Sequence, residues 1–223
     1  MNRALICILT IFLPFCVVGN ALATEPEVVR PVARDGDIPP TRWEHRPESD
    51  LWTRNALVAL QTHGQALTNV VPRDIDEWCP GYRSAEPPAR RAFWVGFMSA
   101  LAKHESTYKP NAVGGGGKWY GLLQILPATA RGYGCKARSG TALKDGSANL
   151  SCAIRILAVT VPRDQAIAIK DSKWRGVAAD WGPMRSSSKR KDMTGWLREQ
   201  SYCAVSKSVR PQLRPTIEDF RKE

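Results

Sequence analysis

Histidine is scarce in this chain: there are three in 223 residues, and His45, His63 and His104 are scattered. The six cysteines include no pair two to four residues apart, the spacing that zinc sites use. Neither residue type offers a ligand set, so neither a metal nor an organic cofactor is expected. No nucleic-acid-binding motif is visible, and no segment repeats. Strand-like alternation is sparse as well, which leaves a mainly α protein with at most a small hairpin around Lys118-Trp119-Tyr120. Long apolar runs are also missing, apart from residues 4–18. That run is about fifteen residues and is interrupted by Pro14, whereas a membrane span needs roughly twenty.

The run follows Arg3 and precedes Ala21-Leu22-Ala23, a small-x-small site, so residues 1–23 read as a secretory signal. The alternative is an uncleaved anchor. Cys16 follows Leu13-Pro14-Phe15, a poor lipid acceptor because a small residue normally precedes such a cysteine. The expected mature chain therefore starts at Thr24, is monomeric and keeps no stable membrane anchor. Cys7 and Cys16 leave with the signal, and Cys79, Cys135, Cys152 and Cys203 remain, a set that allows three pairings. We favour Cys135–Cys152, which closes a short glycine- and lysine-rich loop, with Cys79–Cys203 joining the two ends of the domain. Disulfides of this kind belong in an oxidising compartment.

Positive charge dominates. The formal excess is +11, and Arg3 takes one of these charges away with the signal. Such a balance favours a polyanionic partner: nucleic acid, an anionic membrane surface or an acidic cell-wall polymer. The run Lys189-Arg190-Lys191 either contributes to that attraction or is simply a solvated face.

The chain divides into the signal, a proline- and charge-rich leader at 24–48, one domain at 49–207 and a polar tail at 208–223. Ser49-Asp50 caps a helix expected from Leu51 to about Val70, ended by Pro72, with a further helical turn at Asp74 to Trp78. Pro87-Pro88 opens the longest helix. Others are expected at Pro127 to Gly132, Asn149 to Thr160, Arg163 to Ser172 and Asp192 to Ala204. Most of the eight tryptophans belong to the core, including Trp52 and Trp94. Trp119 and Trp181 sit in glycine-containing loops, where an indole face suits a sugar ring and its N–H can donate.

Glu105 ends the longest helix. On a helical wheel started at Trp94, Phe97, Met98, Leu101 and Glu105 fall at about −60°, 40°, −20° and 20°, while Lys103 points the other way. A carboxyl group held in an apolar stripe loses solvation of its charged form. Its pKa rises, and it can then serve as a general acid. The alternative is a helix-end acid turned to solvent or paired with an arginine.

After Glu105 come Ser106, Tyr108, Pro110 and Ala112, a loop with four consecutive glycines (Gly114 to Gly117), and then Gly121-Leu122-Leu123-Gln124-Ile125-Leu126-Pro127-Ala128-Thr129-Ala130. This order resembles the soluble lytic transglycosylase family of the goose-type lysozyme-like superfamily. In that family a Glu-Ser pair closes a helix, an aromatic, Pro and Ala follow, and a Gly-Leu-Met-Gln-Ile-Met-Pro-x-Thr-Ala block comes next. Further on, Asn149-Leu150 opens a counterpart of a family helix, and Ala178-Ala179-Asp180-Trp181-Gly182-Pro183 resembles its Ala-Tyr-Asn-x-Gly-Pro loop. The departures are Ala179 and Asp180 for Tyr and Asn, Leu123 for Met, and Gly114 for a frequent Ser.

The resemblance implies a compact lysozyme-like helical domain, exported to the periplasm, that acts on peptidoglycan, whose peptides carry carboxylates that suit a basic protein. It implies cleavage of the β-1,4 bond between N-acetylmuramic acid and N-acetylglucosamine by Glu105 alone, giving 1,6-anhydromuropeptides. Gln124, Ser106, Tyr120, Asp180 and Trp181 are the candidate substrate contacts. Gln124 has a loop-bracing alternative, Ser106 a helix-end one, and Tyr108 either orients Glu105 or belongs to the core. Two other readings stay open. One is a lysozyme-like hydrolase in which Asp180 positions a water, and the other is a peptidoglycan-binding scaffold that does not cleave.

Overall fold

The computed structural model describes residues 38–205; the signal with Cys7 and Cys16, most of the leader and the tail at 208–223 lie outside the described residues. Among the described residues eight α-helices run in the order α1 (Ser49–Gln61), α2 (Gln65–Asn69), α3 (Ile75–Trp78), α4 (Pro87–Ser106), α5 (Pro127–Gly132), α6 (Gly146–Asp164), α7 (Val177–Asp180) and α8 (Ser187–Arg198). Between α4 and α5, β1 (Val113–Gly114) pairs antiparallel with β2 (Trp119–Tyr120), Val113 opposite Tyr120.

The central element is α4. Pro87 and Pro88 occupy its first turn, where no N–H is needed. From Ala92 to Ala102 every residue is buried, so α4 is a core helix apolar on all sides rather than the one-sided stripe read from the sequence. Small residues such as Gly96, Ser99, Ala100 and Ala102 let neighbouring chain close in around it. On one flank Trp78, Tyr82, Phe93, Trp94 and Phe97 stack edge to face, with ring centroids 5.0–6.5 Å apart. Inside this cluster Trp94 Nε1 donates to the Tyr82 hydroxyl at 2.9 Å and that hydroxyl donates to the Thr68 carbonyl at 3.3 Å, while the buried Trp78 Nε1 has no partner among the described residues. Helices α1 and α2 pack along α6, and α8 packs on α4.

Both favoured disulfides are formed, Cys79–Cys203 and Cys135–Cys152. The first closes a loop across 124 residues of sequence, and a cross-link of this kind contributes about 2–4 kcal/mol by restricting the unfolded chain.

Four expectations need correcting. The packed unit begins before Ser49: Trp43 is fully buried against Trp52 and donates to Thr53 Oγ1, so residues 41–48 belong to the domain. The expected Leu51–Val70 helix is two helices. They break at Thr62–Gly64, where a Cβ on Gly64 would lie 2.5 Å from Ile154 Cγ2 of α6. Next, α6 continues through Pro162, and the helix expected at 163–172 does not form. Gln165 turns left-handed (φ 50°), and the Asp74 carboxylate takes the Ile167 and Ala168 N–H groups at 2.8 and 2.7 Å. Those bonds replace helical ones, so the segment is a loop. Finally, α8 starts at Ser187, capped by Ser186, and stops at Arg198, since Cys203 must turn back to reach Cys79.

Candidate active site

The last turn of α4 delivers Glu105 to the floor of an open cleft of about 440 Å³. Its walls are Trp119, Gln124, Asp180, Trp181, Gly182, Pro183 and Arg185. A smaller recess of about 120 Å³ shares Trp119, Gln124, Asp180 and Trp181 and continues over Ile125, Leu126, Thr129 and Ile156. The chain leaves α4 through two consecutive left-handed residues, Thr107 (φ 52°) and Tyr108 (φ 60°). Each conformation costs of order 1 kcal/mol outside glycine. The strain sits directly beside the carboxyl group that ends the helix.

Glu105 is half-buried, and among the described residues none hydrogen-bonds its carboxyl. Burial therefore acts unopposed except by the positive charge of Lys189 on α8, and the pKa is pushed up to about 7. Asp180 behaves in the same sense. It is exposed at a concave lip, and protein crowded around it raises its pKa. Arg163 pulls against that rise, Asp164 adds to it, and Arg185 opposes it.

Gln124 faces the cleft from a left-handed position (φ 45°). Its Nε2 is committed to the Gly121 and Ala112 carbonyls at 2.9 and 3.2 Å, bracing the loop, while Oε1 lies toward Gly114, where a Cβ would come within 2.3 Å of it. So the amide is a brace at its nitrogen end and an open acceptor at its oxygen end. Trp181 is buried, and its Nε1 donates to the Leu123 carbonyl at 2.9 Å. Its indole is thus a fixed wall whose N–H is already spent. Trp119, by contrast, is 44% exposed and lies across Gly115, where a Cβ would sit 2.0 Å from the ring and where φ is +56°. Only glycine permits that seat.

Two expected contacts point elsewhere. Ser106 is buried with its hydroxyl on the Ala102 carbonyl at 3.3 Å, closing the helix end rather than lining the cleft. Tyr120 donates to Gly117 O at 2.6 Å, and its ring packs over Gly140, so it stabilises the glycine loop from behind. Tyr108 sets its ring edge-on to His45 at 4.8 Å. Among the described residues no three or more His, Cys, Asp and Glu side chains cluster as a metal site.

Sequence reasoning missed the bracing role of Asn149, the place of Arg185 in the cleft and the reach of the Lys189 charge to Glu105. Asn149 is fully buried. Its Nδ2 donates to the Tyr120 and Leu143 carbonyls and its Oδ1 accepts from the Leu123 N–H, all at 2.9 Å, which pins the glycine-leucine block that carries Gln124. An asparagine inside an otherwise apolar helix start was the visible signal.

The sequence and fold that carry this cleft have known counterparts. Residues 85–178 match the model of the transglycosylase SLT domain. The fold superposes on Bd0314 DslA, wild type, with TM-score 0.68 and 30% identity over 75% of this chain and 99% of that one. The chain belongs to the transglycosylase SLT family. Two glutamate-to-glutamine variants of DslA superpose equally well, with TM-scores of 0.69 and 0.67 at 30% identity, covering 75% and 74% of this chain and 99% and 97% of theirs. No curated protein matches significantly. SLT membership indicates a glycan-cleaving, lytic transglycosylase-type activity on peptidoglycan, carried on a lysozyme-like helical fold. Among the described residues of this SLT domain no helix is long and apolar enough to cross a membrane.

Proposed function

We propose that the protein is an exported peptidoglycan lytic transglycosylase in which Glu105 is both general acid and general base. The observation that carries the reading is the Glu105 carboxyl itself: half-buried, unbonded by the described residues and opening into the cleft, with a pKa near 7. The protonated acid gives its proton to the oxygen linking muramyl C1 to the next sugar, and the C1–O bond breaks as the ring gains oxocarbenium character. The substrate's own acetamido oxygen shares the charge at C1. The carboxylate then takes the proton of the muramyl 6-hydroxyl, O6 bonds to C1, and a 1,6-anhydro end leaves with the acid regenerated and no water consumed.

Gln124 Oε1 accepts from an acetamido N–H, Trp119 offers its exposed face to a sugar ring, and Trp181 forms the opposing wall. Residues 1–23 act as the export signal. The disulfides and the excess of positive charge fit an oxidising envelope compartment and an acidic wall polymer. Asp180 supports a second reading. A second carboxyl lines the same cleft as Glu105, and water positioned by it at C1 would give hydrolysis instead.

Digestion of purified sacculi with the wild type and Glu105→Gln, followed by mass analysis, separates these readings. Ends lighter by one water are expected from the wild type, with a loss of about 10³-fold in rate for Glu105→Gln. Reducing ends would establish hydrolysis, and release of nothing by either protein would overturn both.

A further inference from the structure

Arg185 closes the turn after Gly182-Pro183 and lines the cleft that contains Glu105. Its Nε donates to the Ala178 carbonyl at 2.9 Å and its Nη2 to the Ala179 carbonyl at 2.7 Å. The guanidinium is therefore locked against the backbone of α7 before any ligand arrives. Among the described residues Nη1 donates to nothing, and no carboxylate lies within ion-pair distance of Arg185. Lys189, four residues on, likewise pairs with no carboxylate among the described residues, and its charge bears on Glu105. Elsewhere the protein spends cations on acids generously: Asp192 alone takes Arg42, Lys103 and His104. Arg185, which lines the cleft, and Lys189, whose charge reaches Glu105 there, are both left without a carboxylate partner among the described residues.

We propose that Arg185, backed by the charge of Lys189, is a carboxylate-recognition subsite that selects glycan bearing a free carboxylate beside the scissile bond. A guanidinium presents parallel N–H donors that match a carboxylate's two oxygens, and one already held by two backbone bonds loses little freedom on binding. The inference rests on the reading of the cleft as a muramyl-glycan site. In that substrate the carboxylate has two sources. A muramyl residue without a peptide exposes its own lactyl carboxylate, and a substituted one carries carboxylates on its stem peptide.

The test compares four glycan preparations: strands with stem peptides, strands stripped of them, and each of these with its carboxylates converted to methylamides. With the wild type, kcat/KM is expected to favour the carboxylate form about tenfold in one of the two pairs. The stem-bearing pair identifies the stem, and the stripped pair identifies the lactyl group. Arg185→Ala is expected to erase that ratio and Arg185→Lys, which keeps the charge without the paired donors, to retain only a minor part of it, whatever loss the two forms suffer in common. No preference in the wild type overturns the proposal. An unchanged ratio in Arg185→Ala does so too, because Arg185 would then only clamp Ala178 and Ala179. Dissociation constants measured on Glu105→Gln, with and without Arg185→Ala, read the same ratio in an uncut complex. If the wild type cleaves nothing, the transglycosylase reading falls and the binding ratio still decides Arg185.

Discussion

Glu105 and Asp192 meet the same end of α4, and the fold drives them in opposite directions. Asp192, on α8, accepts from Arg42 at 2.7 Å, from Lys103 at 2.9 Å and from His104 Nε2 at 2.8 Å, and these bonds hold its carboxyl well below the usual range. Burial lowers the His104 pKa more than Asp192 raises it, so near neutral pH the ring donates as a neutral imidazole. One residue along the helix, Glu105 has the burial without the partners and rises to about 7. The difference lies in what the chain supplies around each group, because both are ordinary carboxyls. Where the fold needs a staple it surrounds the acid with donors, and where chemistry needs a movable proton it withholds them.

The largest expected effect follows from this imbalance. In the unfolded chain Glu105 titrates near 4.5 and in the fold near 7, so between those values the folded state binds the extra proton. Stability from this group is complete below about pH 4.5 and is lost as pH rises through 7. At 1.36 kcal/mol per pH unit the loss is roughly 3 kcal/mol. Glu105→Gln, which cannot ionise, should match the wild type in denaturant midpoint near pH 4 and exceed it by up to roughly 3 kcal/mol at pH 8. Parallel curves across that range would mean that the carboxyl is freely hydrated, and the enzymatic reading would lose its support.

Asp192→Asn should do the reverse and on a smaller scale. Its folded pKa is depressed, so its contribution is present above about pH 4 and disappears only as pH falls well below that value. The group is 34% exposed, so solvent screening leaves roughly 1 kcal/mol. Chemical denaturation of this variant is expected to give a deficit that stays flat from pH 5 to 8, where the Glu105 difference is steep. A deficit that itself slopes through that window would show that His104, rather than the carboxylate, sets the strength of the staple.

The sequence made the two acids unequally legible. Glu105 could be found because a long apolar helix ending in an acid, followed by glycines and a Gly-Leu-x-Gln block, is local information. The hairpin, α5 and the short Cys135–Cys152 loop were accessible for the same reason, whereas Cys79–Cys203, 124 residues apart, followed only from an even set of four cysteines. The Asp192 hub was not accessible, since Arg42, Lys103 and Asp192 come from three separate stretches of chain and meet only on folding. Asp74 misled the reading of 163–172 in the same way: its carboxylate reaches across 93 residues to take the Ile167 N–H that a helix would have used. Trp43 looked like leader because proline and charge surround it, yet its partners Trp52 and Thr53 lie on α1. Of the site, Gln124, Asp180 and Trp181 were visible in motif positions. The arginine that follows the Gly-Pro turn carried no local mark.

Lys189 gives the finest test, because it is the only cation whose charge reaches Glu105 among the described residues. A nearby positive charge favours the carboxylate, so Lys189 offsets part of the rise that burial causes. Replacing it by methionine keeps the length of the stem and removes the charge, and Glu105 should then hold its proton to higher pH. In the kcat/KM profile on sacculi the alkaline limb, which reports loss of the acid's proton, should move up by roughly half a pH unit. Lys191→Met, an exposed change two residues along the same helix, should leave the limb in place. A limb that moved down in Lys189→Met, or that moved equally in both variants, would assign the titration to a group other than Glu105. The contrast with Asp192 would then describe only how α4 is anchored.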